Sequence, residues 1–593
     1  MTTTRRTTGN DAGKVIITPA FDEPLPEFNE LIMSSSPNRI LIIGLDAATF
    51  WLIDPWMQEQ KLPTLARIQA QGARAELRSS IPYVSGPAWV SFATGKNPGK
   101  HGYFDFARRK PGDYGVELVN AAHVMAPTLW QILSEAGQRV AVMNCPVTYP
   151  PRPVNGVLVG DMLTPSPKSQ FTYPPELREE LYAAVPDYLI ESAEASADRV
   201  ATKATVAANV RRGTTNRALA TRFLMEKAPD WDFMHVVYSE TDRIMTYLWD
   251  DMDPSHPRHD PALAGRFGGE IERHYRQADA ILGDLLREVV DPHGNTILFV
   301  MSDHGFGGVH RFFFPNVWLQ QEGYLALKGG RGSAGAQVIR GARSLLKSLG
   351  LAHLARQTLR RVLPGWGTAG KLREFAFTSS VDWSRTRAFW ASDNGVTLNV
   401  RGREPEGIVA PGAEAQALAD EIKARLLALR EPQTGERVVA EVWKREEIYN
   451  GPYVDWSPDL RVIWQEYPEQ RRTHFSAGEP WAESAFAFAG QTGDHARDGI
   501  LYAYGPGVRR GVRLPRLSIM DLAPTVLWLR GLPVPADMDG RVLTELFEPD
   551  FVARHPVQRG AATGAVTPAA AAELSAEDEE ALADRLRGLG YIG

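Results

Sequence analysis

Cysteine is nearly absent. Cys145 is the only one in 593 residues, so an intrachain disulfide and a thiolate-rich zinc or iron–sulfur site are both excluded. That usage suits a reducing compartment. Long apolar runs are missing too: none reaches about 18 residues, the length that crosses a bilayer, so membrane insertion is not expected. The opening stretch MTTTRRTTGNDAGK carries charge with no apolar core behind it, unlike a secretory signal. These absences lead to an expected cytoplasmic location. An excess of basic charge is also lacking. Lys and Arg number 65 against 71 Asp and Glu, a formal net charge of −6, which leaves no basic footprint for nucleic acid as a stable partner. What is present is an ordinary globular mixture, 44% hydrophobic, 23% charged and 9% aromatic, which rules out a collagen-like or wholly disordered chain.

Residues 1–36 read as a polar, proline-containing leader without periodicity, expected to be disordered. RILIIGL, from Arg39, is a continuous apolar run of the kind that forms a strand buried on both faces. Further strand candidates lie at 139–144, 156–160, 233–238, 296–301 and 500–504. Helical stretches fall between them, for example at 128–136, 175–185, 206–227 and 271–289. This alternation predicts an α/β fold with helices on both faces of a sheet. Residues 311–485 differ: they are rich in Trp, Gly and Arg, contain the flexible GGRGSAG at 329–335, and read as an inserted accessory lobe. The core is thus expected over 37–310 and again over 486–555, with a helix at 518–529. An Ala/Gly-rich linker at 556–572 and a short amphipathic helix at 575–589 make up the end, 556–593.

Metal-ligand residue types gather around the strand candidates. Asp46 follows the first, Asp242 follows 233–238, and Asp303 with His304 follows 296–301, while His495 precedes 500–504. In open α/β sheets ligands bind beyond the carboxyl ends of strands, where four of these residues fall if the strands are parallel. Carboxylates with imidazoles suit zinc or manganese. Singly, each Asp also suits a turn or a helix cap, and a lone His is commonly structural. The adjacent Asp303-His304 pair followed by Gly305 is more specific, since glycine permits a close backbone approach. Ser85, in IPYVSGPAWVSFATG, is the candidate nucleophile. Pro87 suits the first turn of a helix and Gly95 its end, so backbone N–H groups would point at whatever Ser85 attacks. A bound metal would favour its alkoxide. The local sequence alone equally allows Ser85 to be a helix cap.

Together, ILIIGLDAATF, SGPAWVSFATGKNPGKHG, SETDR, MSDHGFGG and TGDHARDGILYAYGPG resemble the alkaline phosphatase superfamily, in particular its type I phosphodiesterase/nucleotide pyrophosphatase branch. In that branch the nucleophile lies ten residues before the Gly of an A-T-G motif followed by P-x-x-H-G; counting back from Gly95 reaches Ser85. DLAPTVLWLRGLPVPADMDGRVL, from Asp521, also looks like the C-terminal core of that superfamily. Sulfatases of the superfamily use C/S-x-P-x-R, and Trp89 stands where that Arg would be.

The resemblance implies an alkaline-phosphatase-like, mostly parallel sheet and a phosphoester hydrolase, either a phosphodiesterase/nucleotide pyrophosphatase or a phosphomonoesterase. It also implies a small phosphorylated, nucleotide-like substrate, and two divalent metal ions, zinc first with manganese or magnesium as alternatives. One ion would be held by Asp46, Ser85, Asp303 and His304, the other by Asp242, His495 and a His four residues after Asp242. Thr246 occupies that last position, and a threonine hydroxyl is a poor zinc ligand beside imidazole. His256 lies on a nearby loop. Ala88 stands where the branch often carries an Asn that binds a phosphoryl oxygen, which leaves Lys96 or backbone N–H groups for that task. These departures also allow a catalytically weak relative that binds a phosphorylated ligand or partner. Trp366, Trp383, Trp390, Trp443 and Trp456 of the accessory lobe could stack on a base, although such residues are usually core.

Overall fold

Alternate residues of strand Arg39–Leu45 enter two different cores: Leu41, Ile43 and Leu45 one, Ile40 and Ile42 the other. That is the physical content of an uninterrupted apolar run, since a strand covered on both sides has no face left for polar residues. The computed structural model describes residues 39–110, 112–192, 199–291, 294–328, 377–391, 395–467, 471–475, 486–487, 491–564, 566, 575–589 and 591. The proposed leader, the GGRGSAG stretch, Trp366 and, of the linker at 556–572, residues 565 and 567–572 lie outside the described residues.

Among the described residues the main sheet has ten strands. Arg39–Leu45 lies at its centre, parallel to Phe233–Tyr238 on one side and to Thr296–Met301 on the other. Val140–Met143 and Gly156–Val159 continue the parallel ladder beyond Phe233–Tyr238. Asp498–Tyr504 pairs antiparallel with Thr296–Met301, and Ala73–Arg78 pairs antiparallel with it. The sheet is therefore mostly parallel with an antiparallel edge. The Ala73–Arg78 strand was not among the expected ones, because ARAELR alternates small apolar with charged residues and lacks the signature of a central strand.

Helices cover both faces. Arg199–Lys227, Glu240–Met252 and Glu270–Leu285 bury apolar residues in the first core; Ser85–Thr94 and Leu522–Leu529 fill the second. Gly44 is needed where Ser85–Thr94 meets the central strand: a Cβ there would stand 2.5 Å from the Trp89 ring. A separate four-stranded antiparallel sheet, Ala388–Trp390, Gly395–Leu398, Leu460–Trp464 and Val439–Lys444, carries helix Ala413–Ala428 and a third core. Trp383 and Trp390 are buried in that core, Trp443 is half-buried with its indole N–H on Glu441, and Trp456 is exposed.

The terminal helix Ala576–Gly588 starts at Ser575, whose Oγ accepts from the Asp578 N–H at 3.1 Å. Its Leu582 and Leu586, with Leu589 beyond, are buried in the same core as Leu41 and Ile43. Burial of each such leucine contributes about 1.5–3 kcal/mol, which docks this helix on the core. No helix among the described residues is long and apolar enough to cross a membrane.

Candidate active site

The parallel ladder brings Asp46 and the Asp303-His304 pair to the same edge, because each follows one of two hydrogen-bonded neighbours. The Ala47 N–H donates to Asp303 Oδ1 at 3.2 Å, tying the two loops together. Asp242 sits in the first turn of Glu240–Met252, directly after Phe233–Tyr238, where the helix N-terminus favours a carboxylate. His495 arrives by another route. The chain leaves His304 as strand Gly305–Phe313, which pairs antiparallel with Gly493–Ala496 and sets Phe306 opposite His495. Gly305 is needed at this crossing: a Cβ there would stand 2.2 Å from the Asp498 carbonyl oxygen.

All six residues singled out in the sequence converge. Ser85 Oγ lies 3.1 Å from His304 Nε2 and 3.5 Å from Asp46 Oδ1. His304 Nε2 lies 3.2 Å from Asp303 Oδ2 and 3.7 Å from Asp46 Oδ1. His495 Nε2 lies 3.4 Å from Asp242 Oδ2, and the rings of His304 and His495 are 4.1 Å apart. Ser85 is not the helix cap: Val84 holds that position, and Ser85 is the first helical residue with its hydroxyl turned to the acidic cluster.

The donors fit a divalent cation in two overlapping groups, Asp46/Asp303/His304 and Asp242/His304/His495, each with its ligand atoms within 4.8 Å of one another. Asp303 Oδ2 and Asp242 Oδ2 are buried and face the candidate ligand imidazoles of His304 and His495, as carboxylate oxygens that share a cation with those rings would. Burial first, then the Asp303 and Asp242 charges, raise Asp46 well above the usual carboxylate range, a strain that a cation would relieve. The His304 Nδ1 lies 2.9 Å from the Gly305 carbonyl; an N–H donated there leaves Nε2 as the free lone pair facing Ser85. Burial lowers the His304 pKa, which keeps that lone pair available.

Thr246 supplies no third imidazole; its hydroxyl donates to Asp242 Oδ1 at 3.4 Å. His256 belongs to neither ligand group and packs against His310 instead. Arg243 fills part of this side of the site. It is fully buried, donates from Nη1 to Asp242 Oδ1, and grips Glu191 with Nε and Nη2 at 3.1 Å each. Burial opposes the Asp242 charge, but Arg243 and His495 outweigh it and hold the carboxyl at about 2. Lys96 is not available to a phosphoryl group: its Nζ reaches Asp537 Oδ2 at 2.5 Å and Thr563 Oγ1 at 2.9 Å. Ala88 lies in the apolar core.

Three contributors are not apparent from the sequence motifs. Trp89 donates its indole N–H to Asp46 Oδ2 at 3.4 Å, so the residue standing in place of a sulfatase Arg helps to orient a carboxylate. Arg243 adjoins Asp242 in the chain, and a cation beside a ligand carboxylate was the one signal for it. Tyr591 gave none: its hydroxyl lies 2.9 Å from Ser85 Oγ, 506 residues away in sequence.

A similar fold occurs in a solved structure. No curated protein sequence matches the chain. Among solved structures, the wild-type alkaline phosphatase PafA is 13% identical with a TM-score of 0.50, over 87% of this chain and 100% of that one, a likeness of fold. Phosphonoacetate hydrolase from Sinorhizobium meliloti 1021 is 16% identical with a TM-score of 0.47, over 82% and 95%. Murine ectonucleotide pyrophosphatase/phosphodiesterase 5 is 13% identical with a TM-score of 0.45, over 86% and 100%. The family model described as type I phosphodiesterase/nucleotide pyrophosphatase matches residues 40–466, so the chain is a phosphoester hydrolase and belongs to that metal-dependent family.

Proposed function

We propose that the chain is a phosphodiesterase that uses two divalent metal ions, zinc first, and acts through a phosphoseryl intermediate on Ser85. The observation that carries this reading is the placement of the Ser85 hydroxyl. It lies within 3.5 Å of both Asp46 and His304, at the edge of two donor groups of carboxylates and imidazoles. Asp46, Asp303 and His304 would hold one ion together with Ser85, and Asp242 and His495 the other. Bound there, the ions would supply positive charge to phosphoryl oxygens and lower the pKa of the serine hydroxyl. Ser85 Oγ attacks phosphorus, the phosphorus–oxygen bond to the leaving alcohol breaks, and water later cleaves the phosphoserine. Trp89 and the Gly305 carbonyl keep Asp46 and His304 oriented throughout. Positioning and electrostatics carry most of such a reaction, since its transition state is mainly redistributed charge. A small phosphorylated, nucleotide-like substrate suits the family.

The test is hydrolysis of bis-p-nitrophenyl phosphate beside p-nitrophenyl phosphate by the purified protein with zinc, manganese or magnesium. The diester should be turned over, and Ser85→Ala should lose about three orders of magnitude or more in kcat. Undiminished turnover in that metal-loaded variant sinks the mechanism, and preference for the monoester moves the assignment to phosphatase. One observation favours a second reading, a weakly catalytic phosphate-binding relative: Thr246 replaces an imidazole and Arg243 already pairs with Asp242. That reading expects ligand binding without turnover under any metal.

A further inference from the structure

The C-terminal segment carries Tyr591 into the candidate active site. The Tyr591 ring lies 4.6 Å from the Phe106 ring and 5.8 Å from that of His495, with the Arg243 guanidinium 5.5 Å from its centre. Its hydroxyl is 2.9 Å from Ser85 Oγ and 3.0 Å from Arg243 Nη1. Arginine only donates hydrogen bonds, so the phenol oxygen accepts from Arg243, and its single O–H is left to donate on the Ser85 side. Ala88 and Lys96 offer no donor beside Ser85, since Ala88 is core and Lys96 is paired with Asp537.

The segment is built in rather than draped over the site. Arg585 Nη1 donates to the carbonyls of Met162 and Thr164 at 2.6 Å each. Gln491 Nε2 donates to the Leu589 carbonyl at 2.7 Å, and the Tyr591 N–H closes back on the Leu586 carbonyl at 2.9 Å. These bonds surround the residue and fix where its hydroxyl points, which is the requirement for a group that must meet charge developing at one place.

We propose that Tyr591 is a catalytic residue of the phosphoryl-transfer site, delivered by the C-terminal segment: its hydroxyl donates a hydrogen bond to a non-bridging oxygen of the phosphoryl group at Ser85, while Arg243 holds the phenol in place. The inference rests on the proposed role of Ser85. A phosphoryl group carried by Ser85 brings its oxygens beside Oγ, where this O–H already points. The recognised chemistry is a tetrahedral or trigonal-bipyramidal oxyanion, whatever alcohol it leaves.

Tyr591→Phe in the zinc-loaded protein is the test, because it keeps the packed ring and removes the hydroxyl that faces Ser85 and accepts from Arg243. Two readouts are needed: kcat/KM for bis-p-nitrophenyl phosphate, and the affinity for orthovanadate by titration calorimetry, which requires no turnover. Both should fall about 10- to 100-fold, the size of one lost hydrogen bond to a charged group, with a single cooperative melting transition retained. Tyr591→Ala should lose at least as much. A gain in turnover in either variant would make the segment an inhibitory plug and overturn the inference; so would vanadate binding that is equal in wild type and variant, or absent from both. If the wild type binds vanadate more tightly than Tyr591→Phe yet hydrolyses nothing, the hydrolytic reading fails and the oxyanion contact stands.

Discussion

Asp46, Asp303 and His304 stand at the ends of two hydrogen-bonded parallel strands, whereas Asp242 comes from a helix and His495 from a strand of another sheet. In the first group the main-chain ladder fixes the spacing of the ligands. In the second, three separate packings must agree: the helix on the main sheet, the Gly305–Phe313 strand against Gly493–Ala496, and Arg243 on Asp242. The second group also carries Thr246 at the position where a third ligand is expected. A ligand group written into a sheet ladder is hard to alter piecemeal. One assembled from side chains on different elements can be retuned by a single substitution.

The largest expected effect breaks that contrast directly. With zinc supplied, Asp303→Ala should cost about 10³-fold or more in diester hydrolysis, and His495→Ala about 10- to 100-fold. Equal losses would show that both groups are equally required. A smaller effect sharpens it: Thr246→His should tighten binding of the weaker zinc equivalent about tenfold or more, followed by competition with a chromophoric chelator. An unchanged affinity would mean that Arg243, rather than the missing imidazole, limits this group.

The smallest effect is on pH. Burial opposes the charge on His495, but the Asp242 carboxylate prevails and raises its pKa above the ordinary 6.5. Asp46 is raised as well, by burial and by neighbouring carboxylates. Both groups therefore hold a proton longer in the folded than in the unfolded chain, and the stability they contribute is lost as pH rises through their folded values. His304 is shifted downward by burial, as are His101, His123, His235, His256 and His274; these rings bind fewer protons folded than unfolded up to about pH 7.5, so the stability they contribute grows as pH rises through the unfolded value. Metal-free protein should thus melt at higher temperature as pH rises from about 5.5 to about 7.5, because the lowered histidines outweigh His495 and Asp46, with zinc adding more at the upper end. Melting curves with a chelator present check this; a flat or falling midpoint contradicts it.

Much of the architecture was legible because burial on both faces leaves a plain mark. RILIIGL, FMHVVY and TILFVM are uninterrupted apolar runs, and each became a central parallel strand. The strand at 73–78 was not legible, since an antiparallel strand near the edge needs no such run and ARAELR mixes charge with alanine. Lys96 shows the same limit at the level of one side chain. Its place beside the nucleophile motif suggested a phosphate contact, but Asp537, 441 residues on, holds its ammonium.

Sequence alone determined the strand order's raw material, the family motifs and the six candidate positions that converge at one edge of the sheet, because each lies next to an element whose periodicity can be read locally. Only the tertiary structure decided how they are completed. Arg243 became the counter-charge of Asp242 through the turn of a helix, and Trp89 became a support for Asp46 through its packing against Gly44. Tyr591 reached Ser85 because Leu582, Leu586 and Leu589 bury themselves in the sheet's own core. Hydrophobic burial is non-directional, so an apolar stripe announces that a helix will dock but not where, and the residue it carries into the site is known only once the core has formed.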